Sequence, residues 1–259
     1  MHKTKIKILS RPKLRGPILI EGLPGIGNIG RVCAGYIISR LKAKKFAELY
    51  SPHFLPLVIL DKNAISHLLT IDFYYVKGKD RDFIIMTGDS QSVSPQGHYE
   101  ICGATLDLAK EFGVKDIITI GGFATGKEPK SPNIIAAVNS ENAKKKYMKK
   151  GINFNKKHDV GTIIGASGIL LGMASSRKID AICLMGETMG FPFLITDPKV
   201  AKAVLEVITK ITGLKIDLTG LEKTVKEMEN IIKKSSEIHR KMLQKIKYAE
   251  KPEDIKYIG

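Results

Sequence analysis

The chain has 259 residues, 43% of them hydrophobic, and a formal net charge of +16 supplied mostly by lysines spread along its length. That is enough to bury a sizeable core as one α/β domain with an appended element, and the basic balance favours an acidic partner without naming one. Cys33, Cys102 and Cys183 are odd in number, far apart and set in apolar contexts, which excludes a disulfide framework and predicts buried free thiols in a reducing compartment.

Nothing apolar follows the charged start Met1-His2-Lys3, and the most apolar long window, Thr162 to Ala174, is broken by glycine and too short to span a bilayer. The expectation is a cytoplasmic protein without a membrane segment. Residues 1–16 alternate basic residues with Ile6 and Ile8, the pattern of an edge strand with one solvated face. Pro17 to Ile20 predicts a buried strand, and Ile26 to Leu41 carries apolar residues at helical spacing. Further strands are expected at Leu57 to Leu60, Leu69 to Val76 and Asp82 to Met86, the last two joined by a turn at Lys77-Gly78-Lys79-Asp80.

Beyond a polar loop from Thr87 to Gly97, a helix is expected from His98 to Phe112 and a strand from Asp116 to Ile120, followed by a loop to Pro132. Ile134 to Val138 predicts strand, Glu141 to Lys150 helix, Gly161 to Ile164 strand, Gly168 to Ser175 helix and Ile179 to Met185 strand. Alternating strands and helices imply a three-layer α/β sandwich with a mixed, mostly parallel sheet. Asp197 and Pro198 open a helix that Gly213 closes after Thr212, and Thr219 is placed to cap a long final helix. The expected organisation is a core domain at 1–218, a long C-terminal helix at 219–250 and a flexible tail at 251–259.

In that last helix Leu221, Val225, Met228, Ile232, Met242 and Ile246 recur at steps of four and three, with Ser235 and His239 in the two remaining seam positions. About 30 helical residues span roughly 45 Å, more than a domain of this size needs to cover its own sheet. The six apolar residues are therefore candidates for an oligomer interface.

The chain is organised around Glu21-Gly22-Leu23-Pro24-Gly25-Ile26-Gly27-Asn28-Ile29-Gly30, at a strand-to-helix turn. Gly25, Gly27 and Gly30 have G-x-G-x-x-G spacing, whose small residues permit a tight turn, close approach to a diphosphate and close packing of helix on sheet. A dinucleotide site also needs an acidic residue about 20 positions on, for which Glu48 is the candidate. Pro24 inside the turn and Gly35 on the following helix favour packing, so Gly22, Gly25, Gly27 and Gly30 are read as a structural turn.

Other constellations fall short. Gly121 to Lys127 has the spacing of a phosphate loop, but Glu128 stands where a magnesium-binding Ser or Thr is required, and Pro129 and Pro132 prevent the helix that should cradle phosphate. Ser167 sits between glycines as in a nucleophile elbow, but the second glycine, Gly168, falls one position too early. His53, His67, His98 and His158 share no ligand spacing, so no metal and no cofactor are expected. The basic run Lys144-Lys145-Lys146 with Lys149-Lys150 reads as a solvated helix face, so nucleic acid is not expected as a partner.

Three ordered blocks carry a resemblance: Glu21 to Gly30, Ile120-Gly121-Gly122-Phe123, and Gly186-Glu187-Thr188 through Asp197-Pro198-Lys199 to Gly213-Leu214-Lys215-Ile216-Asp217-Leu218. Together they resemble the archaeal homologues of the eukaryotic proteasome assembly chaperone, its second subunit in particular. The resemblance implies a core similar to that of nucleoside phosphorylases, no enzymatic activity, no ATP dependence, and homo-oligomers that dock on proteasome alpha subunits. It further implies docking by a C-terminal tail, which places Ile255, Tyr257, Ile258 and Gly259 at the contact. Tyr257 stands third from the end where such tails carry tyrosine second, and Lys256 replaces a hydrophobic residue. The alternative reading is an enzyme or nucleotide-binding protein using the turn at 25–30 and the loop from Asp89 to Gly97.

Overall fold

A computed structural model describes residues 1–126, 131–154, 161–190 and 198–226. Its main sheet has eight strands in the order β1 (Lys5–Ile8), β3 (Lys44–Tyr50), β6 (Ile71–Val76), β7 (Phe83–Gly88), β2 (Ile18–Glu21), β8 (Asp116–Ala124), β10 (Asp180–Thr188) and β9 (Ile134–Val138). The four central strands β7, β2, β8 and β10 pair in parallel, and the flanking pairs are antiparallel. Helices α1 (Ile29–Leu41), α3 (Glu141–Lys149) and α5 (Pro198–Thr212) cover one face; α2 (Pro95–Glu111) and α4 (Ala166–Ala174) cover the other. The expected three-layer sandwich is therefore present.

Strand alternation sorts the core. In β2, Leu19 faces α2 and α4 while Ile18 and Ile20 face α1 and α5, so all four residues of the strand are buried, as a strand covered on both sides requires. On α5, Val200, Ala201, Val204, Leu205, Ile208 and Ile211 form the apolar stripe that docks on the sheet. Each large aliphatic side chain in that stripe contributes about 1.5–3 kcal/mol by leaving water.

At the amino ends of the strands, buried Asp116 holds Arg81 (2.7 Å) and Lys146, and Lys146 also reaches Asp180 (3.4 Å), tying β8, β10 and α3 to the loop before β7. Cys33, Cys102 and Cys183 are free and buried. Burial pushes the Cys102 and Cys183 thiols up to about 12.

Several elements differ from expectation for local reasons. Helix α2 starts at Pro95, three residues early, because the Ser94 side chain accepts the Gly97 N–H and Pro95 fits the first turn. Strand β8 runs on to Ala124 because β10 pairs with it along its whole length, so Gly121 to Phe123 are strand where a loop was expected. Residues 161–164 form no strand; they are extended chain leading to α4, and Ile164 is 91% exposed. Val58–Leu60 (β4) is a strand, but it pairs with the unanticipated Ser66–Leu68 (β5) in a small separate hairpin.

Thr219 does not cap the final helix: its hydroxyl donates to Asp217 Oδ1 (2.7 Å), and the Gly220 carbonyl accepts the first helical bond, from Thr224 N–H. Residues 221–226 are helical. Leu221 and Val225 are each only 1% exposed and belong to the core cluster of Tyr36, Ile37, Val204 and Ile208. These two residues are thus covered by their own chain, because the end of the core domain needs them. Met228, Ile232, Met242 and Ile246 lie outside the described residues.

Candidate functional site

The glycine-rich turn leaves β2 at the carboxyl end of the parallel strands, where open α/β sheets place ligand crevices. Gly22 and Gly30 meet back to back: a Cβ on Gly22 would overlap the carbonyl oxygen of Gly30 and stand 2.8 Å from the Ala34 Cβ, and one on Gly30 would stand 2.8 Å from the Ile120 oxygen. Gly27 has φ of +63°, a left-handed conformation that favours glycine. Gly25 is extended, and a Cβ there would find nothing nearer than the Gln91 side chain at 3.6 Å. Two of the four glycines therefore bring α1 onto β8 and a third makes the turn. The fourth is free of both demands.

Gly122 completes the packing, because a Cβ there would press into the carbonyl of Ile26, 3.0 Å from its carbon. Backbone of β8 thus occupies the ground immediately in front of the turn. Gln91 braces the same region, its Nε2 donating to the Pro24 carbonyl (2.6 Å) and its Oε1 accepting the Ala166 N–H (2.9 Å).

What remains is a cleft of about 260 Å³ lined by Gly25, Ile26, Gln91, Phe123, Ile163 and Ser167 among others. Behind it Glu21 is fully buried: its Oε1 accepts the Leu23 N–H (3.1 Å), and Oε2 lies 3.0 Å from Ser167 Oγ. Burial raises the Glu21 carboxyl to about 7, against the opposing pull of those hydrogen bonds. Ser167 also lies 3.1 Å from the Ile120 carbonyl and is 8% exposed. Among the described residues no histidine bonds to it, so this serine joins α4 to β2 and β8.

Sheet order removes the dinucleotide partner. In a dinucleotide fold the strand after the first helix lies beside the first strand and carries the ribose-binding acid. Here β3 lies three places from β2, and Glu48 bonds to Lys45 (3.2 Å) and Tyr50 (2.8 Å). Gly121 to Ala124 are strand, not a phosphate loop. Among the described residues no group of three or more His, Cys, Asp or Glu side chains is placed to hold a metal ion, and no helix is long and apolar enough to cross a membrane.

One arrangement was hidden in the sequence. His53 Nδ1 lies 3.0 Å from Ser94 Oγ and Nε2 lies 3.2 Å from Glu100 Oε2, an order resembling a serine, histidine and acid relay. Ser94 Oγ is already engaged by the Gly97 N–H as helix cap, and Pro95 supplies no amide for an oxyanion. Glu100 also accepts the Thr4 N–H. The group is a clasp that ties the amino terminus and the 51–54 loop to α2.

The profile of the PAC2 family matches residues 19–236. The chain belongs to the PAC2 family. A relative from Methanocaldococcus jannaschii, MJ1210, is 35% identical, the match covering 98% of each chain. The crystal structure of Pyrococcus furiosus PbaB, described as an archaeal proteasome activator, is 44% identical with a TM-score of 0.80, over 91% of this chain and 100% of that one. That of Pyrococcus furiosus PbaA, described as an archaeal homolog of proteasome-assembly chaperone, is 25% identical with a TM-score of 0.74, over 93% and 98%.

The family match covers the glycine turn and the Ile120 to Phe123 block of this PAC2 chain, which pack against each other, and continues through α5. The tail residues Ile255, Tyr257, Ile258 and Gly259 lie outside the described residues.

Proposed function

We propose that this chain is a cytoplasmic, non-enzymatic, ATP-independent proteasome assembly chaperone or activator that docks on the proteasome alpha ring through its C-terminal tail. The observation that carries the reading is the likeness to PbaB over nearly the whole of both chains. The packed turn supports it, since Gly22, Gly30 and Gly122 serve backbone-to-backbone approach and Glu48 is far from where a ribose would need it.

In this reading Tyr257 and the terminal carboxylate enter pockets between ring subunits, the carboxylate pairing with a cation, while Ile255 and Ile258 add apolar contact. A homo-oligomer multiplies weak tails into useful avidity, and the helix at 219–250, from Met228 to Ile246, supplies one contact between copies. Deleting Tyr257 to Gly259 in the full chain tests the anchor: ring binding is lost while fold and oligomer are retained. Undiminished binding by the truncated chain would remove the tail from the account.

A further inference from the structure

The hairpin β4–β5 breaks the rule by which the rest of the chain is built. Asp61 closes its turn, its Oδ1 accepting the Asn63 N–H (2.8 Å) and Ile65 N–H (3.0 Å), and Val58, Ile59 and Leu60 pair with Leu68, His67 and Ser66. Facing residues in an antiparallel pair share a side, so Val58, Leu60, Leu68 and Ser66 form one face while Ile59 and His67 form the other. The second face is partly polar, with His67 Nε2 3.3 Å from Asp61. On the first, three apolar side chains stand open beside Ser66: Val58 is 50% exposed, Leu60 63% and Leu68 54%.

A two-stranded ribbon is marginal in water without a third strand or a covering layer, and among the described residues no third strand pairs with either edge of this one. Its turn holds it in shape, so the apolar face is presented ready-made. The hairpin rises between the carboxyl end of β3 and the start of β6, at the same end of the sheet as the glycine turn.

We infer that this hairpin is an interface between two copies of the chain, the ribbons packing face to face about a twofold axis with Val58, Leu60 and Leu68 covered in the contact. The same patch on both copies is self-complementary about a twofold, so a second copy supplies the missing apolar layer. Charge favours the same occupant. Two chains of net charge +16 repel, but Asp61 and Lys62 cancel within residues 57–68, leaving a neutral patch where close approach costs least. An acidic partner would find no excess of cations there. The inference is independent of the C-terminal helix, whose Leu221 and Val225 are already covered by their own core.

The test is native mass spectrometry and sedimentation of the full chain and of a Leu60→Glu/Leu68→Glu double variant, with amide exchange over residues 58–68. Both side chains are exposed in the single chain, so circular dichroism, and Tm at a concentration where both proteins are monomeric, should match between them. The wild type is expected to associate at micromolar concentration with slow exchange in both strands, and the variant to associate at least about tenfold more weakly with fast exchange. Equal association of the two proteins would overturn the inference, as would a monomeric wild type with freely exchanging hairpin amides. A variant that self-associates normally but loses proteasome alpha subunits would overturn it too, by assigning the hairpin to a different protein.

Discussion

Gly22 and Gly30 touch through their backbones: no Cβ fits on Gly22 without entering the Gly30 carbonyl, and a Cβ on Gly30 would crowd the carbonyl of Ile120. This contact sets how closely α1 lies against β8, and it accounts for two of the turn's glycines with no ligand present.

Substitution should therefore separate the glycines. Gly22→Ala is expected to lower stability by about 2–3 kcal/mol, the scale of overpacking a rigid site, whereas Gly25→Ala should stay within about 0.5 kcal/mol. Urea denaturation of the two variants checks this. If Gly25→Ala left the fold intact but abolished binding of a nucleotide, the turn would have to be reassigned as a ligand site.

Glu21 makes stability depend on pH in an unusual direction. Its folded pKa is raised to about 7, while an unfolded glutamate titrates near 4.5. The folded state therefore holds a proton that the unfolded state has released. The contribution of the protonated form is fully present below pH 4.5 and is lost as pH rises to about 7, a change of roughly 3 kcal/mol. Glu21→Gln, which keeps an acceptor for Leu23 N–H, should be more stable than wild type at pH 8 and gain nothing at pH 4.5. Urea midpoints at the two pH values give the comparison.

Asp116 anchors two cations from a buried position, but Arg81 and Lys146 are each about a third exposed and can recover water when it is removed. Asp116→Ala should consequently cost about 2 kcal/mol, short of the 3–5 kcal/mol of a fully buried pair. Thermal unfolding of the variant measures it.

Leu221 should behave as a core residue. Leu221→Ala is expected to cost about 2–4 kcal/mol in a way that does not vary with protein concentration. A loss that appeared only as a concentration-dependent change in oligomer size would instead return Leu221 to a subunit interface.

Much of the fold was legible because hydrophobic period and turn chemistry agree locally. Ile71 to Val76, the Gly78 turn and Phe83 to Met86 form the expected hairpin, and Pro198 and Gly213 bound α5. Sheet order was not legible. Nothing in the sequence near Glu48 says that β3 lies three strands from β2, since that follows from how β6 and β7 insert between them. Residues 161–164 mislead for a related reason: Thr162-Ile163-Ile164 has strand propensity, but among the described residues it pairs with no strand, and Ile163 lies against Gly168 in the first turn of α4 instead. The clasp of His53, Ser94 and Glu100 could be glimpsed only as a Ser-Pro helix start, because its histidine comes from another loop.

The most direct measurement mixes the full chain with proteasome alpha subunits and determines native mass with and without ATP, beside the chain lacking Tyr257 to Gly259. The account predicts a complex that forms equally well in both conditions and disappears with the three residues. A full-length chain that ignores alpha subunits, or that joins them only with nucleotide bound, would contradict it.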